Sequence, residues 1–290
     1  AELLPVTYFH QVFTVPHELN PLVLRNKRVI LAILFKAVSE TLTDFGKDPK
    51  QRLGGKVGFT LILHTWNQRL LDHFHIHCVM PAGALKADGS WINAKYKGYL
   101  FPVKAMANLF RGKFLAFLRR SYEKNKLNFS GVTADLAHPV CFEGLLDSLS
   151  KKSWHVYSKP PFDGGPMTVL NYLGRYTHRI AISNHRLIGV SKNGVTFTYR
   201  DRSDANKVKA ENVSGLEFIR RFLLHTLPSG FVRIRHYGFL ASRNKGDNLE
   251  KCRQALKVES PTTDVDPPKT PEERLLKLTG IDVLACPSCK

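Results

Sequence analysis

The sequence predicts an α+β layer fold, a central antiparallel sheet covered by helices. Strand-like and helix-like runs alternate along the chain without a regular βα repeat. Two hairpin signals, Asp88-Gly89 and Asn193-Gly194, join neighbouring strands tightly enough to make them antiparallel. Hydrophobic residues make up 43% of 290, which is enough for a sizeable core.

Residues 6–15 (VTYFHQVFTV) are β-branched and aromatic and read as a strand that Pro16 ends. Asn20-Pro21 opens a helix running to about residue 42, with the proline in its first turn. After the Gly54-Gly55 turn come strands at 57–65 and 74–80, separated by a turn region at 67–71. Segments 84–86 and 90–93 flank Asp88-Gly89. Residues 103–122 form a basic amphipathic helix, apolar at Leu109, Phe110, Phe114, Phe117 and Leu118. A helix at 139–149 and a short strand at 154–157 follow. Pro160-Pro161 and Gly164-Gly165-Pro166 punctuate the chain before a helix at 167–177. Strands are then expected at 179–183, 187–190 and 195–200, a helix at 216–227, a strand at 231–237 and a helix at 248–256. From 258 to 270 the composition turns polar and proline-rich, as a linker does.

The chain carries 43 Lys and Arg against 24 Asp and Glu, a formal net charge of +19. That excess calls for a polyanionic partner, most simply nucleic acid. No apolar run approaches the ~20 residues a spanning helix needs, so no membrane is expected. The amino terminus lacks a secretory n-region and h-region. It also begins without Met, as a fragment or a processed chain would. Five scattered cysteines fit a reducing cytoplasm better than a disulfide framework. Of these, Cys286-Pro-Ser-Cys289 has the spacing of half a zinc site.

The run His73-Phe74-His75-Ile76-His77 lies at the head of an apolar strand. Alternation along a strand places His75 and His77 on one face, side by side, as half of a metal site. The helix expected after Pro166 contains Tyr172-Leu173-Gly174-Arg175-Tyr176. A spacing of four puts both phenols on one helical face. Arg175, His178 and Arg179 crowd that segment with positive charge. A tyrosine can attack phosphorus and hold the product as an ester, but a phenol with a pKa of about 10 needs cations or a metal-bound phosphate to help it.

His75-Ile76-His77 followed by Tyr172 and Tyr176 resembles the HUH endonuclease superfamily. More closely, the chain resembles the two-tyrosine rolling-circle transposases of the insertion-sequence ninety-one type. Residues 4–10 (LPVTYFH), 13–19 (FTVPHEL), His64-Thr65-Trp66, 110–114 (FRGKF), 172–183 and 222–237 look like that family's segments in the same order, and the likeness covers nearly all of residues 3–257. The resemblance implies an HUH-like sheet and an enzyme that nicks and joins single-stranded DNA through a 5′-phosphotyrosine. Tyr172 and Tyr176 would be the nucleophiles, and His75 and His77 the ligands of Mg²⁺ or Mn²⁺. The superfamily's third ligand would be His64, with His73 and His10 as alternatives. The partners implied are single-stranded DNA of element ends and target, in the cytoplasm at the nucleoid. Residues 1–183 would form the catalytic core and 184–257 a basic region completing it; 258–275 would be a linker and 276–290 the start of a zinc knuckle that takes Zn²⁺ at Cys286 and Cys289.

Arg175 and Arg179, with Arg233 and Arg235 from the alternating run 231–237 (FVRIRHY), are candidate DNA contacts, because cations set between aromatic rings suit a single strand. Other readings give a replication initiator or relaxase with the same chemistry, a zinc amidohydrolase with its His-x-His strand, or a non-catalytic DNA-binding protein. The amidohydrolase needs a βα-repeating barrel that the sequence does not suggest.

Overall fold

The computed structural model describes residues 3–51, 53–95, 98–159, 162, 168–169, 174, 181–201, 203–259 and 270–279. Residues 2–257 form one compact unit. In the remainder, a helix spans Pro271–Thr279. Among the described residues no helix is long and apolar enough to cross a membrane.

The chain runs through β1 (Tyr8–Thr14), α1 (Asn20–Arg25), α2 (Lys27–Lys47), β2 (Gly58–Trp66) and β3 (Asp72–Pro81). The small hairpin β4 (Gly83–Leu85) and β5 (Trp91–Asn93) leads to α3 (Val103–Glu123), α4 (Pro139–Lys151) and β6 (Val156–Ser158). A three-stranded sheet follows, β7 (Leu187–Ser191), β8 (Gly194–Asp201) and β9 (Lys207–Val213), then α5 (Gly215–Leu224), β10 (Ile234–Gly238) and α6 (Lys245–Leu256). The central sheet has the order β10-β2-β3-β1-β6, and all its pairings are antiparallel. The predicted α+β class is therefore the observed one. The parallel barrel of an amidohydrolase has no counterpart among the described residues.

Pleating divides the residues of this sheet between two environments. One face carries Phe9 and Phe13 of β1, Phe59, Leu61 and Leu63 of β2, and Phe74, Ile76, Cys78 and Met80 of β3. They pack with Leu31, Leu34, Phe35, Val38 and Leu42 of α2 and Phe110, Phe114 and Leu118 of α3 in one buried cluster. Each fully buried Leu or Phe contributes about 1.5–3 kcal/mol, so this face holds the molecule together. The opposite face carries His10 from β1, His64 from β2 and His75 and His77 from β3.

Four local features depart from expectation. The single helix predicted from Asn20 is two, broken at Asn26, whose buried side chain bonds to the Leu22 carbonyl and, in both directions, to the backbone of Asn128. Of the strand expected at 179–183, residues 179–180 lie outside the described residues and 181–183 are not a strand, because Ala181 and Ile182 bend into a cluster with Leu70 and Phe197. Strand β9 escapes the sequence pattern because three of its seven residues are charged. It pairs with β8 along its length, and Lys209 reaches Asp201 across the pair at 2.8 Å. The segment 231–233 stays outside β10.

Gln11 is an exception to the apolar face. It is fully buried, opposite Cys78 and Ser158, and neither end of its amide has a hydrogen-bond partner among the described residues. Burying an amide without partners costs about 1–3 kcal/mol. Gln11→Met, of similar shape, is expected to raise stability by about 1–2 kcal/mol in a chemical-denaturation curve. An unchanged or lowered midpoint would show that the amide is satisfied in solution.

Candidate metal centre

The histidine cluster follows from register. The β2–β3 pairing sets His64 directly opposite His75 and Ile62 opposite His77. His75 and His77 are two apart on β3, so all three side chains leave the sheet on one side. They are 5%, 8% and 7% exposed, and one ligand nitrogen from each lies within 4.8 Å of the others. His75 Nε2 and His77 Nε2 are 3.0 Å apart. Two nitrogens bound at adjacent positions about 2.1 Å from one ion would be about 3.0 Å apart. The group of His64, His75 and His77 could therefore hold a metal ion.

The other two alternatives for third ligand sit differently. The His73 carbonyl lies 2.8 Å from His75 Nδ1, and the His73 ring packs beside that of His75. A carbonyl only accepts, so His75 carries its proton on Nδ1 and turns a lone pair on Nε2 toward the site. His10 Nε2 lies 2.9 Å from His77 Nδ1. On the outer side Trp66 stacks on His64, with ring centroids 5.1 Å apart. Trp66 lies two residues beyond His64 on β2, so alternation puts its indole on the same face. Sequence reasoning noted Trp66 only within a family-like segment and gave it no role.

Burial pushes the His10 imidazole down to about 3, helped by Lys159 and then His64. Its folded value lies below the ordinary 6.5, so between those values the unfolded chain binds the extra proton. The contribution of His10 to stability is complete above about pH 6.5 and is lost as the pH falls toward 3. In chelator-treated protein the expected slope approaches, at most, about 1.4 kcal/mol per pH unit from roughly pH 6 to 4. His10→Gln should flatten it; an equal slope in that variant would assign the acid sensitivity elsewhere.

The remaining predicted residues are spread more widely. Arg235 pairs with Leu61 and so points to the helix-covered face, not the histidine face. Its guanidinium lies 4.1 Å from the Phe35 ring centroid and 5.0 Å from that of Phe231, and its Nε donates to the Val232 carbonyl. The Arg233 carbonyl accepts from the Leu63 amide just ahead of β10. An open groove beside this strand is lined by Arg28, Phe231, Arg235 and His236, among others. Tyr172, Tyr176, Arg175, Arg179, Cys286 and Cys289 lie outside the described residues.

Comparison with known proteins agrees with the motifs. Residues 58–247 match the family model Y2_Tnp, described as "Putative transposase". "Putative transposase y4qJ" of Sinorhizobium fredii is 43% identical over 291 residues, covering 100% of this chain and 72% of the relative. The "Transposase for insertion sequence element IS801" of Pseudomonas savastanoi pv. phaseolicola is 32% identical over 257 residues, covering 87% of this chain and 58% of the relative. No solved structure matches significantly. With a family match across residues 58–247 and relatives aligned through the histidine strands, this chain belongs to the Y2_Tnp transposases, the two-tyrosine insertion-sequence ninety-one type that its motifs resemble.

Proposed function

We propose that this chain is a rolling-circle transposase that nicks and rejoins single-stranded DNA at element ends through a 5′-phosphotyrosine intermediate. The observation that carries the reading is the convergence of His64, His75 and His77 on one sheet face. The family supplies the substrate class, DNA of a mobile element, and the net charge of +19 supplies attraction for it.

In this reading Tyr172 or Tyr176 attacks the scissile phosphorus with its phenolic oxygen. The P–O3′ bond breaks, a P–O bond to the tyrosine forms, and the departing 3′-oxygen leaves as a hydroxyl carrying the proton the phenol gives up. A 3′-hydroxyl on donor or target strand later reverses these steps, so bond energy is conserved and no nucleotide triphosphate is needed. Arg175 and Arg179, flanking the tyrosines, offset phosphate charge. Mg²⁺ or Mn²⁺ held by the three histidines would neutralise the non-bridging oxygens and fix the phosphate's position. His75 Nε2, already a lone pair, is set to hold it.

Two anchors support bringing the tyrosines to this face. Val169 is buried against Tyr8 and Val79, which share the histidine side of β1 and β3. Ala181 and Ile182 are buried with Leu70, and Trp66 packs against that cluster at the other end of the site. These buried residues on either side of Tyr172 and Tyr176 support the reading that the tyrosines serve the histidine face. In the same reading Arg233, Arg235 and their groove take the flanking single strand, Cys286 and Cys289 give half of a zinc site, and the protein works at the nucleoid in the cytoplasm.

The test is incubation with 3′-end-labelled single-stranded element-end DNA and Mn²⁺. A labelled protein band surviving denaturation is expected, with release of a fragment ending in a 3′-hydroxyl. DNA that stays uncleaved, or an adduct on the 5′-labelled fragment instead, would overturn the reading. Joining of the released end to a target strand favours transposition over replication initiation.

A further inference from the structure

We propose that His10 is a positioning residue of the metal centre, holding the ring of His77 and taking the hydrogen bond that frees His77 Nε2 for a cation. The inference rests on the metal reading above and concerns a residue in the neighbouring strand.

Three bonds form a chain, His10 Nε2 to His77 Nδ1 at 2.9 Å, His77 Nε2 to His75 Nε2 at 3.0 Å, and His75 Nδ1 to the His73 carbonyl at 2.8 Å. The carbonyl end fixes the direction of the whole chain. Because it only accepts, His75 Nε2 must be a lone pair. In metal-stripped protein His77 then donates to it from Nε2, which leaves His77 Nδ1 as a lone pair that accepts from His10 Nε2–H. A cation shared by His75 and His77 requires a lone pair on both Nε2 atoms. His77 must then carry its proton on Nδ1 and donate to His10 Nε2, whose own proton moves to Nδ1. Each neutral ring keeps one proton, and only the positions change.

The geometry suits this exchange. The His10 and His77 rings are 7° from parallel with centroids 5.1 Å apart. With 2.9 Å between the nitrogens they meet edge to edge, as an in-plane N–H···N bond requires. His10 is 3% exposed, so water competes poorly for His77 Nδ1. The sheet register fixes the contact, since His10 faces Val79 and Val12 faces His77, placing the two histidines diagonally across adjacent strands. Such an outer partner typically changes metal affinity by about 10–100-fold.

The test uses the whole chain and two probes. Titration with Mn²⁺, followed by electron paramagnetic resonance of the free ion, should show binding weakened about 10–100-fold in His10→Phe and largely restored in His10→Gln, whose side-chain oxygen can accept from His77. Nitrogen-15 correlation spectra of the imidazoles should show His77 protonated on Nε2 in stripped protein and on Nδ1 with Zn²⁺. Parental Mn²⁺ affinity in His10→Phe, or a His77 tautomer that Zn²⁺ leaves unchanged, would overturn the role of His10. Failure of the parent protein itself to bind either ion at the histidines would instead overturn the metal reading.

Discussion

Changing Tyr172 and Tyr176 together to Phe is expected to abolish the covalent protein–DNA adduct, by at least about a thousand-fold, while leaving non-covalent DNA affinity within a few-fold. Phe keeps the ring and loses only the oxygen that would bond to phosphorus. The basic surfaces that attract DNA are unchanged, so a gel-shift assay should report near-parental binding. Each single variant tells which phenol attacks first, since only one should lose adduct on a donor strand. Adduct persisting in the double variant would remove both residues from the chemistry.

Changing His75 and His77 together to Ala removes two of the three nitrogens gathered in the centre. Loss of a mere outer partner costs about 10–100-fold in metal affinity, so loss of two direct ligands is expected to exceed 100-fold. Metal-dependent nicking should fall by about a thousand-fold or more, as several kcal/mol of charge stabilisation disappears. The fold should survive, because the cluster of Phe74, Ile76, Cys78 and Met80 with α2 and α3 is on the other side of the sheet. Mn²⁺ titration and a thermal melt separate the two effects. Undiminished cleavage in a folded double variant would remove the cation from the mechanism.

Local alternation made much of this legible in the sequence. Period-two reading of His75 and His77 needs only the strand itself, and the antiparallel class follows from tight turns and the absence of a βα repeat. His64 was harder. Its place depends on which residue of β2 lies opposite His75, a register set by the turn at 67–71 and fixed by burying Leu61 and Leu63 on the helix side. Sequence alone therefore left His64 beside His10 and His73 as alternatives. The strand face of Arg235 was also hidden, because alternation gives two faces without saying which one the helices cover. Its stacking on Phe35 is a long-range contact. The strand β9 was missed since its charges mimic a solvated loop, although they are spent in pairs such as Lys209 with Asp201. The break at Asn26 depends on Asn128, a hundred residues away in sequence, and no local signal announces it.

The edge strand β10 pairs with β2, which lies far earlier in the chain. Loop closure over so great a separation makes assembly slow, as high contact order does generally. Until it is complete, a nascent or prematurely terminated polypeptide presents the bare flank of β2, whose unpaired amides and carbonyls invite intermolecular strand addition. Truncations upstream of Ile234 are therefore expected to accumulate in inclusion bodies.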